Sequence, residues 1–143
     1  MYKAIFLSFI FLGIFIFTTS FYQEYDLAKS IERGKDVYTN YCMSCHLIDG
    51  NATPDVNPPL ANADYLKRPG KEVITVILEG QSGEVIVNGS KYDDDMPEQS
   101  YLSDDQIADV LNYITDVTQN YQHVKRPVFH PDVVALSKLL WLH

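Results

Sequence analysis

Cys42-Met43-Ser44-Cys45-His46 is the stretch on which the reading of this chain turns. Two thiols three positions apart, followed at once by an imidazole, form the C-x-x-C-H pattern of c-type haem attachment. The spacing has a physical logic. At a helix end both sulfurs reach the vinyl groups along one edge of a porphyrin, and each closes a thioether. The next residue then lies under the iron, where a ring nitrogen of His46 is a ligand. Two other chemistries use a C-x-x-C pair. A dithiol redox site normally begins a helix after a strand, whereas this motif ends a helix. A zinc site needs four ligands in close array. Here there is no third cysteine, and His123, His130 and His143 all stand far off in the tail.

Upstream, residues 27–41 read as a helix, with Ile31, Gly34, Val37, Tyr38 and Tyr41 at helical spacing and Lys29, Glu32, Lys35 and Asp36 on other faces. Downstream, Pro54, Pro58, Pro59 and Pro69 break regular structure over 47–70. Residues 71–79 (KEVITVILE) form a short apolar helix stopped by Gly80, with strand as the alternative because several are β-branched. In the surface loop 81–95, Asn88-Gly89 turns a small hairpin between Val85-Ile86-Val87 and Tyr92. The clearest helix is 104–118. Ser103 and Gln106 make a capping box, Asp104 and Asp105 suit its positive end, and Ile107, Val110, Leu111, Ile114 and Val117 make its buried stripe. A last helix over 132–142 carries Val133, Leu136, Leu140 and Trp141 on its apolar side, which either folds back on the domain or meets a partner. So few short helices among long loops imply an all-α domain that needs an organising element in its core.

A second axial ligand decides what such a site does. Met96, in Asp94-Asp95-Met96-Pro97, is the methionine available for it. Met43 sits on the wrong side of the motif, and Met1 leaves with a cleaved leader. A thioether is soft and neutral and favours reduced iron. The alternatives are Met96 as core filler, His123 in its place, or an open site.

The chain has 143 residues with a formal charge of −8, enough for one domain with appendages. So acidic a surface repels phosphate, which argues against nucleic-acid partners. Lys3 precedes an apolar run from Ala4 to Phe17, followed by Thr18, Thr19 and Ser20. As a helix that run spans roughly 21 Å, short of an about 30 Å hydrocarbon core. Residues 1–20 therefore read as a signal peptide. An uncleaved membrane anchor, lengthened by Thr18 to Tyr22, is the alternative. Either way the rest is expected outside the cytoplasm, in the periplasm. The domain occupies 26–120 and a C-terminal extension 121–143.

With these residues in hand, the chain resembles a class I cytochrome c over about 30–118. The resemblance is carried by Gly34-x-x-x-Tyr38-x-x-x-Cys42-x-x-Cys45-His46, Pro58-Pro59-Leu60, Tyr92-x-x-x-Met96-Pro97 and Ile107-Ala108-x-Val110-Leu111-x-Tyr113-Ile114. It implies the class I cytochrome c fold, with short helices and long loops wrapped around one covalent haem c. Cys42 and Cys45 would hold that haem, and His46 and Met96 would bind its iron. It implies that the first and last domain helices cross beside the haem at Gly34, with Tyr38 packed on Val110 and Tyr113. It also implies that the Pro58 carbonyl accepts the imidazole N–H, that Tyr92 lines the distal pocket, and that Tyr65, Lys67 and Arg68 reach the propionates. The function implied is one-electron transfer between larger redox enzymes, through a partner with a basic docking patch facing Asp93–Asp95. The strings NPPLANADYL and VNGSKYDDDMP resemble cytochrome modules that serve nitrite or nitric oxide reductases, oxidases or dehydrogenases, so a subunit of such a complex is the second reading. A haem enzyme or gas sensor with an open distal site is the third.

Overall fold

The computed structural model describes residues 25–117 and 127–141. Its elements run α1 (Leu27–Tyr41), α2 (Met43–His46), a 3-10 turn (Tyr65–Lys67), α3 (Gly70–Glu79), β1 (Val85–Val87), β2 (Ser90–Tyr92), α4 (Asp104–Val117) and α5 (Pro131–Trp141). The segment 71–79 is a helix rather than a strand. The expected hairpin pairs Val85 with Tyr92 and Val87 with Ser90, antiparallel. The leader or anchor reading of residues 1–20 falls outside the described residues. Among those described, no helix is long and apolar enough to cross a membrane.

α1 begins where the Asp26 carboxylate accepts the Lys29 N–H, 3.2 Å away. α4 begins with the reciprocal pair expected of a capping box. The Ser103 N–H donates to Gln106 Oε1 at 3.0 Å, and the Gln106 N–H to Ser103 Oγ at 3.2 Å. The two helices cross at Gly34. A Cβ there would lie 2.8 Å from Tyr113 Cβ and closer still to the Asp109 carbonyl. Only glycine lets the backbones meet this closely. Tyr38 then packs against Tyr113, the rings tilted by 50° with centroids 5.3 Å apart. The core behind the crossing joins Ile107, Val110, Leu111 and Ile114 of α4 to Val73, Ile74 and Ile77 of α3.

A polar cluster is buried beside the crossing. The Arg33 guanidinium grips the buried Asp109 carboxylate through two bonds of 2.6 and 2.7 Å, and Ser30 Oγ donates to the same group at 2.6 Å. One turn on, the Asn112 amide takes both backbone groups of Phe129. The Phe129 N–H donates to Oδ1 at 2.9 Å, and Nδ2 donates to the Phe129 carbonyl at 2.8 Å. The Phe129 ring packs on the first turn of α3 at Gly70. Asn112→Ala would leave two buried backbone groups unpaired, at about 1–3 kcal/mol each. Guanidinium unfolding of the haem-loaded variant is therefore expected to show a loss of about 3 kcal/mol. A loss within about 0.5 kcal/mol would mean that water replaces the amide.

α5 folds back on α4 and α3. Val134 and Ser137 are its buried residues, and Lys138 Nζ bonds the Leu102 carbonyl at 3.2 Å and the Asp104 carboxylate at 2.5 Å. Val133, Leu136 and Leu140, read from the sequence as its apolar side, face outward instead.

Candidate functional site

An apolar cavity gathers the sequence motifs. Its volume is about 210 Å³, and it is partly open to solvent. Cys42, Cys45, His46, Pro58 and Met96 all line it. Leu60 and Leu66 from the long loop, Val73, Val76 and Ile77 from α3, Val85 and Val87 from β1, and Val110, Leu111 and Ile114 from α4 form its walls.

The motif closes α1 and opens the one-turn α2. Cys42 is half-buried and Cys45 exposed, and no disulfide joins them. Burial first, and the neighbouring Cys45 second, push the Cys42 thiol up to about 11. A redox dithiol works through a thiol pushed the other way, toward the thiolate. The structure therefore disfavours the dithiol reading. The zinc reading fares no better, since no group of three His, Cys, Asp or Glu among the described residues could hold a metal ion. His130 stacks on Tyr25 with centroids 4.3 Å apart, while His123 and His143 lie outside the described residues.

His46 is buried, and its Nδ1 lies 3.1 Å from the Pro58 carbonyl. A carbonyl only accepts, so Nδ1 carries the hydrogen and Nε2 keeps its lone pair. Burial lowers the imidazole's pKa, although the Pro58 bond opposes this, which favours the uncharged ring that an iron ligand needs. The chain leaves the motif through Leu47 at φ 58°, a conformation that costs an L-residue on the order of 1–3 kcal/mol. Three bonds hold it there, one of them from the Gly50 N–H to the Leu47 carbonyl at 3.3 Å. The Tyr38 hydroxyl donates to the Leu47 carbonyl at 2.6 Å, and the Leu47 N–H to the Met43 carbonyl at 2.9 Å.

Met96 reaches the cavity from the other end of the sequence by a device that the sequence reading missed. Its backbone pairs with Gln81 in both directions, each bond 2.9 Å. The Gln99 N–H donates to the Ile77 carbonyl at 2.8 Å, so the strand around Met96 is tied to the end of α3 on both sides. Gly80 makes this possible. Its φ is 75°, and a Cβ there would lie 2.9 Å from the Glu98 nitrogen and closer still to the Met96 carbonyl. The one signal was Gly80 itself, read only as a helix stop.

Three expected contacts divide. Tyr65 lines the cavity, but Lys67 and Arg68 do not. Arg68 instead lies over the Tyr65 ring, 4.1 Å from its centroid, and pairs loosely with Glu72. Tyr92 also lies outside the lining. β1 supplies that wall, and Tyr92 stands one strand further out, half-buried against the core. Gln81, Asp94, Asp95 and Gln99 complete the rim; the Tyr101 hydroxyl donates to Gln99 Oε1.

The residues present fit a covalently held haem. Two thiols, one imidazole with a free nitrogen and one thioether share a cavity whose other walls are mostly apolar. The family model for Cytochrome c matches residues 31–118. The chain is also similar to two proteins named cytochrome c-552, both from Thermus thermophilus. One is 37% identical over 103 residues, covering 69% of each chain. The other is 38% identical over 96 residues, covering 64% of this chain and 72% of its own.

Proposed function

Because the chain belongs to the cytochrome c family, a class I monohaem member with covalently attached haem c, we propose that it is an exported one-electron carrier whose iron is held by His46 and Met96. The family's members are typically electron carriers and not enzymes. The observation that carries the reading is the convergence of Cys42, Cys45, His46 and Met96 on one mostly apolar cavity from elements about fifty residues apart. When bound, the haem supplies a single-electron couple. The protein's part is to keep that couple dry and its ligands still. Pro58 fixes the imidazole and makes its free nitrogen a better donor. The Gln81 bridge fixes the Met96 backbone, so its side chain starts from one place in both oxidation states. The apolar walls exclude water, and the exposed Cys45 marks the edge nearest the surface.

If both axial positions are filled by the protein, no substrate or gas reaches the iron. Mixing the reduced protein with carbon monoxide is expected to give no rapid spectral change. Fast binding would favour the sensor or enzyme reading.

The proposed partner is a larger extracytoplasmic redox enzyme with a basic docking patch. Supporting this, Asp93, Asp94 and Asp95 are exposed, and the last two stand on the cavity rim beside Met96. Charges so placed steer an opposite surface toward the site, and salt screens them within about 10 Å at 0.1 M. Electron transfer to a basic redox partner should slow by about tenfold between roughly 20 mM and 500 mM salt. A flat profile would remove the electrostatic docking claim.

A further inference from the structure

The last helix docks with one face and turns a more apolar one away from the domain. Val133, Leu136, Leu139 and Leu140 are 46%, 56%, 62% and 57% exposed. On a helix, 133, 136 and 140 form one stripe with 139 on its flank. Asp132 is the exposed charge in the first turn, and Lys138 is turned toward Asp104. A contiguous apolar stripe of this kind marks a contact surface.

The chain itself brings an occupant within reach. The described residues begin at Tyr25, whose ring stacks on His130, one residue before α5. Its hydroxyl bonds Ser30 and Asn112, so this junction is fixed to the domain. The apolar run Ala4–Phe17 is joined to Tyr25 by residues 18–24, which reach at most roughly 25 Å. α5 is itself about 16 Å long. A bilayer that takes up the run therefore comes within reach of the stripe. No cluster of Lys or Arg lies on α5, so the contact would rest on apolar burial rather than attraction to anionic headgroups.

We propose that the N-terminal run stays attached in a bilayer and that α5 lies on the same bilayer, with Val133, Leu136, Leu139 and Leu140 in its interfacial layer. The contact holds the domain in one orientation toward its membrane. The proposal takes the uncleaved-anchor reading of the N-terminal run in place of the cleaved signal peptide, and it is independent of the axial ligands, because its test reads lipid contact alone.

The full 143-residue haem-loaded protein is reconstituted in phosphatidylcholine vesicles containing a photoactivatable phosphatidylcholine. Lipid adducts are then mapped by mass spectrometry. Adducts are expected in the 1–22 segment and in the 131–141 peptide. The variant L136S/L140S, altered only at exposed positions, should lose at least threefold of the α5 adducts, keep those of the 1–22 segment and keep the haem spectrum. Adducts confined to the 1–22 segment would overturn the proposal. So would a crosslink from α5 to the leader or to a second copy in place of lipid. A mature N-terminus at Phe21 in the exporting cell would overturn it as well.

Discussion

Met96→Ala is expected to keep the covalent haem, lose the weak long-wavelength absorption of iron–thioether ligation, and lower the reduction potential by on the order of 0.1–0.2 V. Axial ligands set potentials over a span of about 0.8 V, so losing a soft neutral ligand is a large change within it. Attachment should survive because Cys42 and Cys45 belong to a different element, at the junction of α1 and α2. The fold should survive too. Met96 is only half-buried, and its tie to Gln81 runs through backbone atoms that alanine keeps. The emptied position would admit carbon monoxide, which the parent is expected to refuse. Voltammetry and ligand mixing on the same preparation check both points. An unchanged potential would show that another group holds the iron.

Gly34→Ala carries the largest expected effect on stability. Alanine is the better helix former by about 0.5–1 kcal/mol, so on propensity alone α1 would gain. The crossing decides otherwise. The added methyl meets the Asp109 carbonyl carbon and oxygen and Tyr113 Cβ, most of them backbone atoms that cannot swing aside. Overpacking against movable side chains costs about 1–3 kcal/mol, and here α1 and α4 must separate as bodies. Separation also stretches the Arg33–Asp109 fork and the Tyr38–Tyr113 contact. A net loss of more than about 3 kcal/mol is expected by denaturant unfolding, with no change in the C-x-x-C-H motif. A loss below about 1 kcal/mol would mean that the helices slide past the methyl.

The sequence made legible whatever is written in local chemistry. The capping box at Ser103, the stop at Gly80 and the turn at Asn88-Gly89 set boundaries that the structure keeps nearly to the residue, because each satisfies its bonds within a few positions. The motif is readable for the same reason, because C-x-x-C-H is contiguous, whereas Pro58 as the imidazole's partner follows only from the resemblance to class I cytochromes c. What was not legible depends on pairs far apart. Nothing local in Gln81 says that its backbone meets Met96. Asn112 reads as a polar interruption of α4 until Phe129 is seen on its amide. Ser30 and Asp109 are polar residues on the buried face of amphipathic helices, a sign of a cluster that apolar periodicity passes over. The rotation of α5 was missed because its stripe is the more apolar face, whereas Lys138 docks the other face through a hydrogen bond and an ion pair that hydropathy does not register.

The crossing also has a consequence in time. Ser30 waits for Asp109, and Tyr25 for Asn112, so α1 finds its companion only after most of the polypeptide has been made. The two thiols at the end of α1 emerge early and stay unshielded through that interval. Long-range closure of this kind is slow. The delay leaves an opening in which the pigment can be attached to a loose chain, before the late-arriving helix shuts the door behind it.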